Sequence, residues 1–217
     1  TLRQWDQLSS TRIDYLIANS NFTAKRIWKY WKRPAEVIHP PVNVSRFKWN
    51  NPRDDFYLSV CRLVPNKRVD LLVRAFNRLQ LPLIIVGDGP EKAYLKDLAG
   101  PTVQILGFQS TEKIEDLMSK CRAFVYAGIE DFGIAPVEAM ASGAPVIALG
   151  KGGVLDTVKC LNSNSDKEAT GLLFPDQTVN SLVEAIEFFK EKKLWRDLSP
   201  ELIRDWANSF SQDSFKS

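Results

Sequence analysis

The chain has 217 residues, 44% of them apolar, with 29 Lys and Arg against 26 Asp and Glu for a net charge of +3. That apolar share supports a packed core and excludes a disordered segment. The balanced charge, with no sustained basic block, argues against nucleic acid as a partner.

The first residues, Thr-Leu-Arg-Gln-Trp-Asp, lack a signal-peptide pattern, and a start without Met is expected of an excised piece. A helix over 2–10, a short strand over 15–18 and a helix opened by Ser20-Asn21 and running to Trp31 follow. Residues 1–35 therefore read as the end of another domain. Residues 36–50, with His39-Pro40-Pro41-Val42-Asn43, read as a stiff connector.

From 51 to 190, short β-rich runs at 56–60, 83–86, 103–106, 123–126, 146–149 and 172–174 alternate with helical patterns. The helices are expected at 68–79, 91–98, 113–121, 136–142 and 179–189. Such alternation predicts an α/β fold, a Rossmann-like, doubly wound parallel sheet covered on both faces. Right-handed crossovers then bring the loops after the strands to one ligand-binding edge. Residues 159–168, rich in Asn, Ser and charge, are expected as a mobile surface loop. Residues 191–217 form a helical tail, in which Leu202, Ile203, Trp206 and Phe210 make an apolar stripe that needs a partner surface.

Two loops carry the chemistry. Between Glu130 and Glu138 the chain reads Glu-Asp-Phe-Gly-Ile-Ala-Pro-Val-Glu, with Pro136 suited to the first helical position. Gly133, Ile134 and Ala135 offer no side-chain oxygen as a cap, so the N–H groups at this helix start want an outside acceptor, for which a phosphate serves. Arg62 and Lys67 bracket Leu63-Val64-Pro65-Asn66, and with that helix end they would hold a diphosphate without a metal. The plainer alternative is an exposed loop with surface charges. Gly87-Asp88-Gly89-Pro90 follows a strand and either lets a nucleoside approach or makes a tight strand-to-helix turn.

Cys61, Cys121 and Cys160 are widely spaced and form no CxxC pair, which argues against a thiolate zinc site and a disulfide framework and favours the cytosol. No apolar run reaches the ~20 residues that span a bilayer. His39, the only histidine, is a poor catalytic base and is expected to be structural; the six tryptophans are expected to pack. No Gly-x-Ser-x-Gly elbow or Walker lysine pattern occurs, which removes serine hydrolases and P-loop enzymes.

Ser59-Val60-Cys61-Arg62-Leu63-Val64-Pro65-Asn66-Lys67, then Ile85-Val86-Gly87-Asp88-Gly89-Pro90, Leu106-Gly107-Phe108 and the segment from Glu130 to Pro145 together resemble family-4 retaining glycosyltransferases of the GT-B fold. The likeness covers roughly 36 to 190 and is to the C-terminal, donor-binding half. It implies a transferase that moves a hexose from a nucleoside-diphosphate sugar to a glycan or lipid-linked acceptor. By resemblance Glu130 lies near the sugar hydroxyls and Glu138 binds the ribose. Phe132, Gly133, Ile134 and Ala135 present N–H groups to the sugar and distal phosphate. Arg62 and Lys67 neutralise the leaving diphosphate, so neither cofactor nor metal is expected. Gly87 and Gly89 either stand beside the nucleoside or make the tight turn, and Gly107 and Phe108 either line the base pocket or merely pack a loop.

Mannosyltransferase-like members are nearest, which implies GDP-mannose; UDP-glucose is the other candidate. The acceptor belongs to an N-terminal half that is mostly absent here, to which the last helix crosses back in such proteins. The expected place is the cytoplasm, with peripheral attachment to the inner face of the membrane left open. A non-catalytic nucleotide-sugar binding module, a sugar-nucleotide epimerase and a sucrose-type synthase stay open as alternatives.

Overall fold

The computed structural model describes residues 2–161 and 168–216. Six parallel strands form the main sheet: β3 (Tyr57–Val60), β4 (Leu83–Val86), β5 (Val103–Gly107), β6 (Ala123–Tyr126), β7 (Val146–Leu149) and β8 (Gly171–Phe174). Their order is β5-β4-β3-β6-β7-β8. The direction of winding reverses between β3 and β6, so the loops after these two strands flank the crevice where doubly wound sheets take ligands. β6 and β7 are buried at every residue, as parallel strands covered on both faces must be.

Helices α3 (Val69–Leu79), α4 (Lys92–Leu98) and α8 (Val179–Glu191) group on one face, with α5 (Thr111–Lys120), α6 (Ile134–Ala141) and α10 (Pro200–Asn208) on the other. Each strand and helix read from the sequence between 51 and 190 is present, with ends displaced by at most two residues. The shift that matters is at α6. It begins at Ile134, so Pro136 occupies the third helical position and not the first. The first-turn reasoning survives, since the third N–H also lacks an intrahelical acceptor.

Ahead of the sheet lie α1 (Leu2–Ser10), β1 (Ile17–Ala18), α2 (Asn21–Trp31) and β2 (Glu36–Val37). β1 and β2 pair in parallel, Ile17 with Glu36 and Ala18 with Val37, a pairing the sequence did not suggest. Ser20 caps α2 by accepting from the Thr23 N–H at 3.1 Å. Three further short helices also escaped the periodicity: α7 (Val154–Thr157), α9 (Leu194–Asp197) and α11 (Gln212–Lys216).

One hydrophobic core runs from Val42 to Phe210. The partner surface that the C-terminal stripe was expected to need from the other half is supplied instead within this chain. Ile203, Ala207 and Phe210 are buried, and α10 packs against α6 within this chain. Polar contacts fix the docking: Arg204 donates to the Phe47 and Ala141 carbonyls at 3.0 Å, Trp206 Nε1 donates to the Thr157 carbonyl at 2.7 Å, and the Val42 N–H donates to the Phe210 carbonyl at 2.8 Å. The uniform packing role expected of the tryptophans also fails, because Trp5 is 69% and Trp28 57% exposed.

Of the loop expected at 159–168, residues 162–167 lie outside the described residues. Among the described residues no helix is long and apolar enough to cross a membrane.

Candidate functional site

At the C-terminal ends of β3 and β6 lies a cavity of about 540 Å³, lined among others by Cys61, Arg62, Lys67, Tyr126, Glu130, Phe132, Gly133, Ile134 and Ala135. Seven of the residues singled out in the sequence thus meet in one place. After β3 the chain makes a tight turn over Pro65–Lys67, then reverses through Arg68 in a left-handed conformation at φ 51° before α3 starts. A non-glycine residue adopts that conformation at a cost of ~1–2 kcal/mol. Here it frees Lys67 from the helix and leaves it on the cavity wall.

The opposite wall is the start of α6. Gly133 stands at its N-cap with φ 94°, a value glycine tolerates because it has no Cβ, and no side chain caps the helix. Gly133, Ile134 and Ala135 thus bring N–H groups without intrahelical partners to the cavity, while Pro136 has none to satisfy. The expected anion-seeking helix end is present.

Lys67 forms an ion pair with Glu130, and the Tyr126 hydroxyl donates to the same carboxylate oxygen. Arg62 is exposed and makes no side-chain hydrogen bond or ion pair among the described residues. The Gly153 N–H donates to the Glu130 carbonyl at 2.8 Å, and a Cβ on Gly153 would come within 2.3 Å of the Asp131 carbonyl oxygen. The carboxylate loop is thereby clamped from behind. Burial pushes the Cys61 thiol up to about 12, so it stays protonated within the cavity.

Five singled-out residues stand elsewhere. Gly87 and Gly89 belong to backbone packing: a Cβ would lie 1.8 Å from the Cys61 carbonyl oxygen or 2.3 Å from that of Leu63. That crowding fits the tight-turn reading. Gly107 and Phe108 end β5 on the same sheet edge, outside the cavity lining, and Phe108 is 82% exposed. Glu138 is not among the lining residues and pairs with Arg46, whose guanidinium reaches it at 2.6 Å and also lies 3.5 Å from Glu115. Burial raises the Glu138 carboxyl pKa, and Arg46 offsets only part of that.

Sequence reasoning missed Tyr126, Asn19 and Pro40, all on the cavity wall. Tyr126 was hidden as the last residue of an apolar strand, whereas Asn19 and Pro40 arrive from the N-terminal segment, which no local pattern ties to the sheet. That segment docks beside the cavity through Arg26 and Asp131 at 2.6 Å and the Asn21 N–H and Asp156 at 2.7 Å. His39 stays structural, with its ring centroid 5.5 Å from those of Phe132 and Phe210. Among the described residues no three His, Cys, Asp or Glu side chains group to hold a metal.

A family profile described as "Glycosyl transferases group 1" matches residues 42–207. The chain belongs to this family. The α-1,3/1,6-mannosyltransferase ALG2 of Saccharomyces cerevisiae is 27% identical over 227 aligned positions, covering 78% of this chain and 45% of ALG2. A GDP-mannose-dependent α-mannosyltransferase of Mycobacterium tuberculosis is 34% identical over 133 positions, covering 61% of this chain and 33% of that enzyme. In three dimensions this group 1 chain is similar to Anabaena Alr3699/HepE, crystallised with UDP and glucose, with a TM-score of 0.78 at 22% identity over 96% of this chain and 62% of HepE. That likeness shows the fold, the GT-B half expected from the sequence. The chain spans about half the length of the curated relatives it matches.

Proposed function

We propose that this chain is the donor-binding half of a retaining glycosyltransferase that moves a hexose from a nucleoside-diphosphate sugar to a hydroxyl of a glycan or lipid-linked acceptor. One observation carries the reading: Arg62, Lys67 and the uncapped start of α6 converge on a single cavity with Glu130 beside them. Two cations and a helix N-terminus match a diphosphate, and a carboxylate next to them matches sugar hydroxyls.

In this reading Arg62 and Lys67 stabilise the charge that develops on the departing diphosphate, a preorganised electrostatic contribution that needs no metal. The diphosphate takes the proton of the incoming hydroxyl on the face it leaves, and the anomeric configuration is kept. Glu130 orients the sugar and is neither nucleophile nor acid, in contrast to paired-carboxylate glycosidases. Glu138 is assigned to the ribose, which it reaches only by turning from Arg46. The named mannosyltransferase relatives favour GDP-mannose, with UDP-glucose as the competing donor. Three free thiols favour a reducing cytoplasm.

Calorimetry with GDP-mannose and UDP-glucose in the presence of EDTA tests this reading. Binding is expected without added metal, and Arg62→Ala or Lys67→Ala is expected to weaken it about 10- to 100-fold, as for hydrogen bonds to charged groups. Binding that needs Mg²⁺ or Mn²⁺, or that survives both substitutions unchanged, sinks the assigned anion site.

A further inference from the structure

Glu130 is held through one oxygen. The Lys67 ammonium and the Tyr126 hydroxyl both donate to its Oε1, and no described residue donates to Oε2. The two donors differ in what anchors them. Lys67 ends the turn after β3 and carries its half-buried ammonium on a flexible four-carbon stem. The Tyr126 ring is buried at 3% exposure, at the C-terminal end of β6.

In the donor-binding reading Lys67 is wanted by the diphosphate, and an ammonium drawn toward a ligand loosens its grip on Glu130. Tyr126, fixed by its strand and its buried ring, cannot follow. We propose that Tyr126 is a positioning residue for the donor sugar: its O–H keeps Glu130 in place through Oε1 when Lys67 turns to the diphosphate, leaving Oε2 to accept from a sugar hydroxyl. The inference rests on the donor-site assignment and extends it to a residue whose role is indirect. Burial, reinforced by the bond to Glu130, raises the phenol's pKa, so the hydroxyl remains a donor throughout the physiological range. Cys61 in the same cavity does not substitute, because a thiol is a weak donor.

The readout is the contribution of the hexose to binding: the ratio of dissociation constants for GDP and GDP-mannose, and for UDP and UDP-glucose, measured by calorimetry on the 217-residue chain. Tyr126→Phe should lower this ratio about tenfold for the donor that the wild type prefers, with affinity for the bare diphosphate within about twofold. Glu130→Gln should lower the same ratio. The double variant should be no worse than either single one, because the hydroxyl acts only through the carboxylate. Lys67→Ala, by contrast, should weaken the bare diphosphate itself. If Tyr126→Phe does not fold, Tyr126→Met fills the same space without a hydroxyl and carries the same expectation.

A ratio unchanged in Tyr126→Phe overturns the proposal, and so do additive losses in the double variant. A wild-type chain that binds the diphosphates but gains nothing from the hexose overturns it while leaving the anion site standing. A wild-type chain that binds none of the four ligands removes the donor-site reading and this inference with it.

Discussion

Glu138 is a carboxylate kept where burial disfavours its charge. Its pKa is raised, chiefly by desolvation, with Arg46 at 2.6 Å pulling the other way and Glu115 adding repulsion. A folded-state pKa above the unfolded value of about 4.3 means that the proton is bound more tightly in the native state. The stability linked to Glu138 is then fully present below the unfolded pKa and is lost as pH rises through the folded one. Glu138→Gln removes this dependence. The difference in melting temperature, variant minus wild type, is therefore expected to grow in the variant's favour between about pH 4 and pH 7, because the wild type alone loses Glu138-linked stability over that window. Paired melts at the two pH values without nucleotide check the sign, and a difference that shrinks toward neutrality contradicts it. A charge held against its own solvation is a common signature of a functional carboxylate, and the same variant should bind bare nucleoside diphosphates more weakly if the ribose assignment holds.

At the scale of elements, α6 is both the helix that opens on the cavity and the platform for α10. Truncating Ile203, buried at this contact, to Ala is expected to cost ~2–5 kcal/mol, as for other large-to-small core changes. Urea melts measure this, and a cost below about 0.5 kcal/mol, typical of surface positions, would mean that α10 is not part of the core. This packing was only half legible in the sequence. The stripe of Leu202, Ile203, Trp206 and Phe210 announced an apolar face, but periodicity does not say what covers it. The strands of the main sheet were legible because buried parallel strands leave unbroken apolar runs, such as Val146-Ile147-Ala148-Leu149. β1 falls within the short strand read at 15–18, but β2, of two residues, leaves no pattern, and α7 and α9 are barely one turn long. The site shows the same division. Arg62, Lys67 and the α6 start were readable from local chemistry, whereas the Arg46 partner of Glu138 is 92 residues away along the chain. Gly87 and Gly89 read equally as space for a nucleoside or as a tight turn, because a sequence does not reveal the Cys61 and Leu63 carbonyls that crowd them.

For the whole molecule the proposed chemistry needs two substrates and the described residues show one large sheet. The remaining strands, β1 and β2, form a two-residue pairing that cannot make a second ligand-binding half. The N-terminal segment fits beside the cavity through Arg26 and Asn21, yet Trp5, Tyr15 and Trp28 on it are exposed. The chain spans 45% of yeast ALG2. Holding donor and acceptor in attack geometry supplies ~7–11 kcal/mol of barrier reduction in well-oriented systems, a factor of roughly 10⁵ or more in rate. The 217-residue chain should therefore bind donor while transferring hexose to a glycan or lipid-linked acceptor at least about a thousandfold more slowly than a complete two-half relative. Radiolabelled GDP-mannose or UDP-glucose, with product counted after separation of the acceptor, gives the measurement. The donor affinity from calorimetry on the same preparation separates slow chemistry from an unfolded or empty site. Transfer by this chain at the relative's rate would mean that acceptor binding lies within the group 1 domain itself, on the wall formed by Asn19, Pro40 and the Glu130 loop.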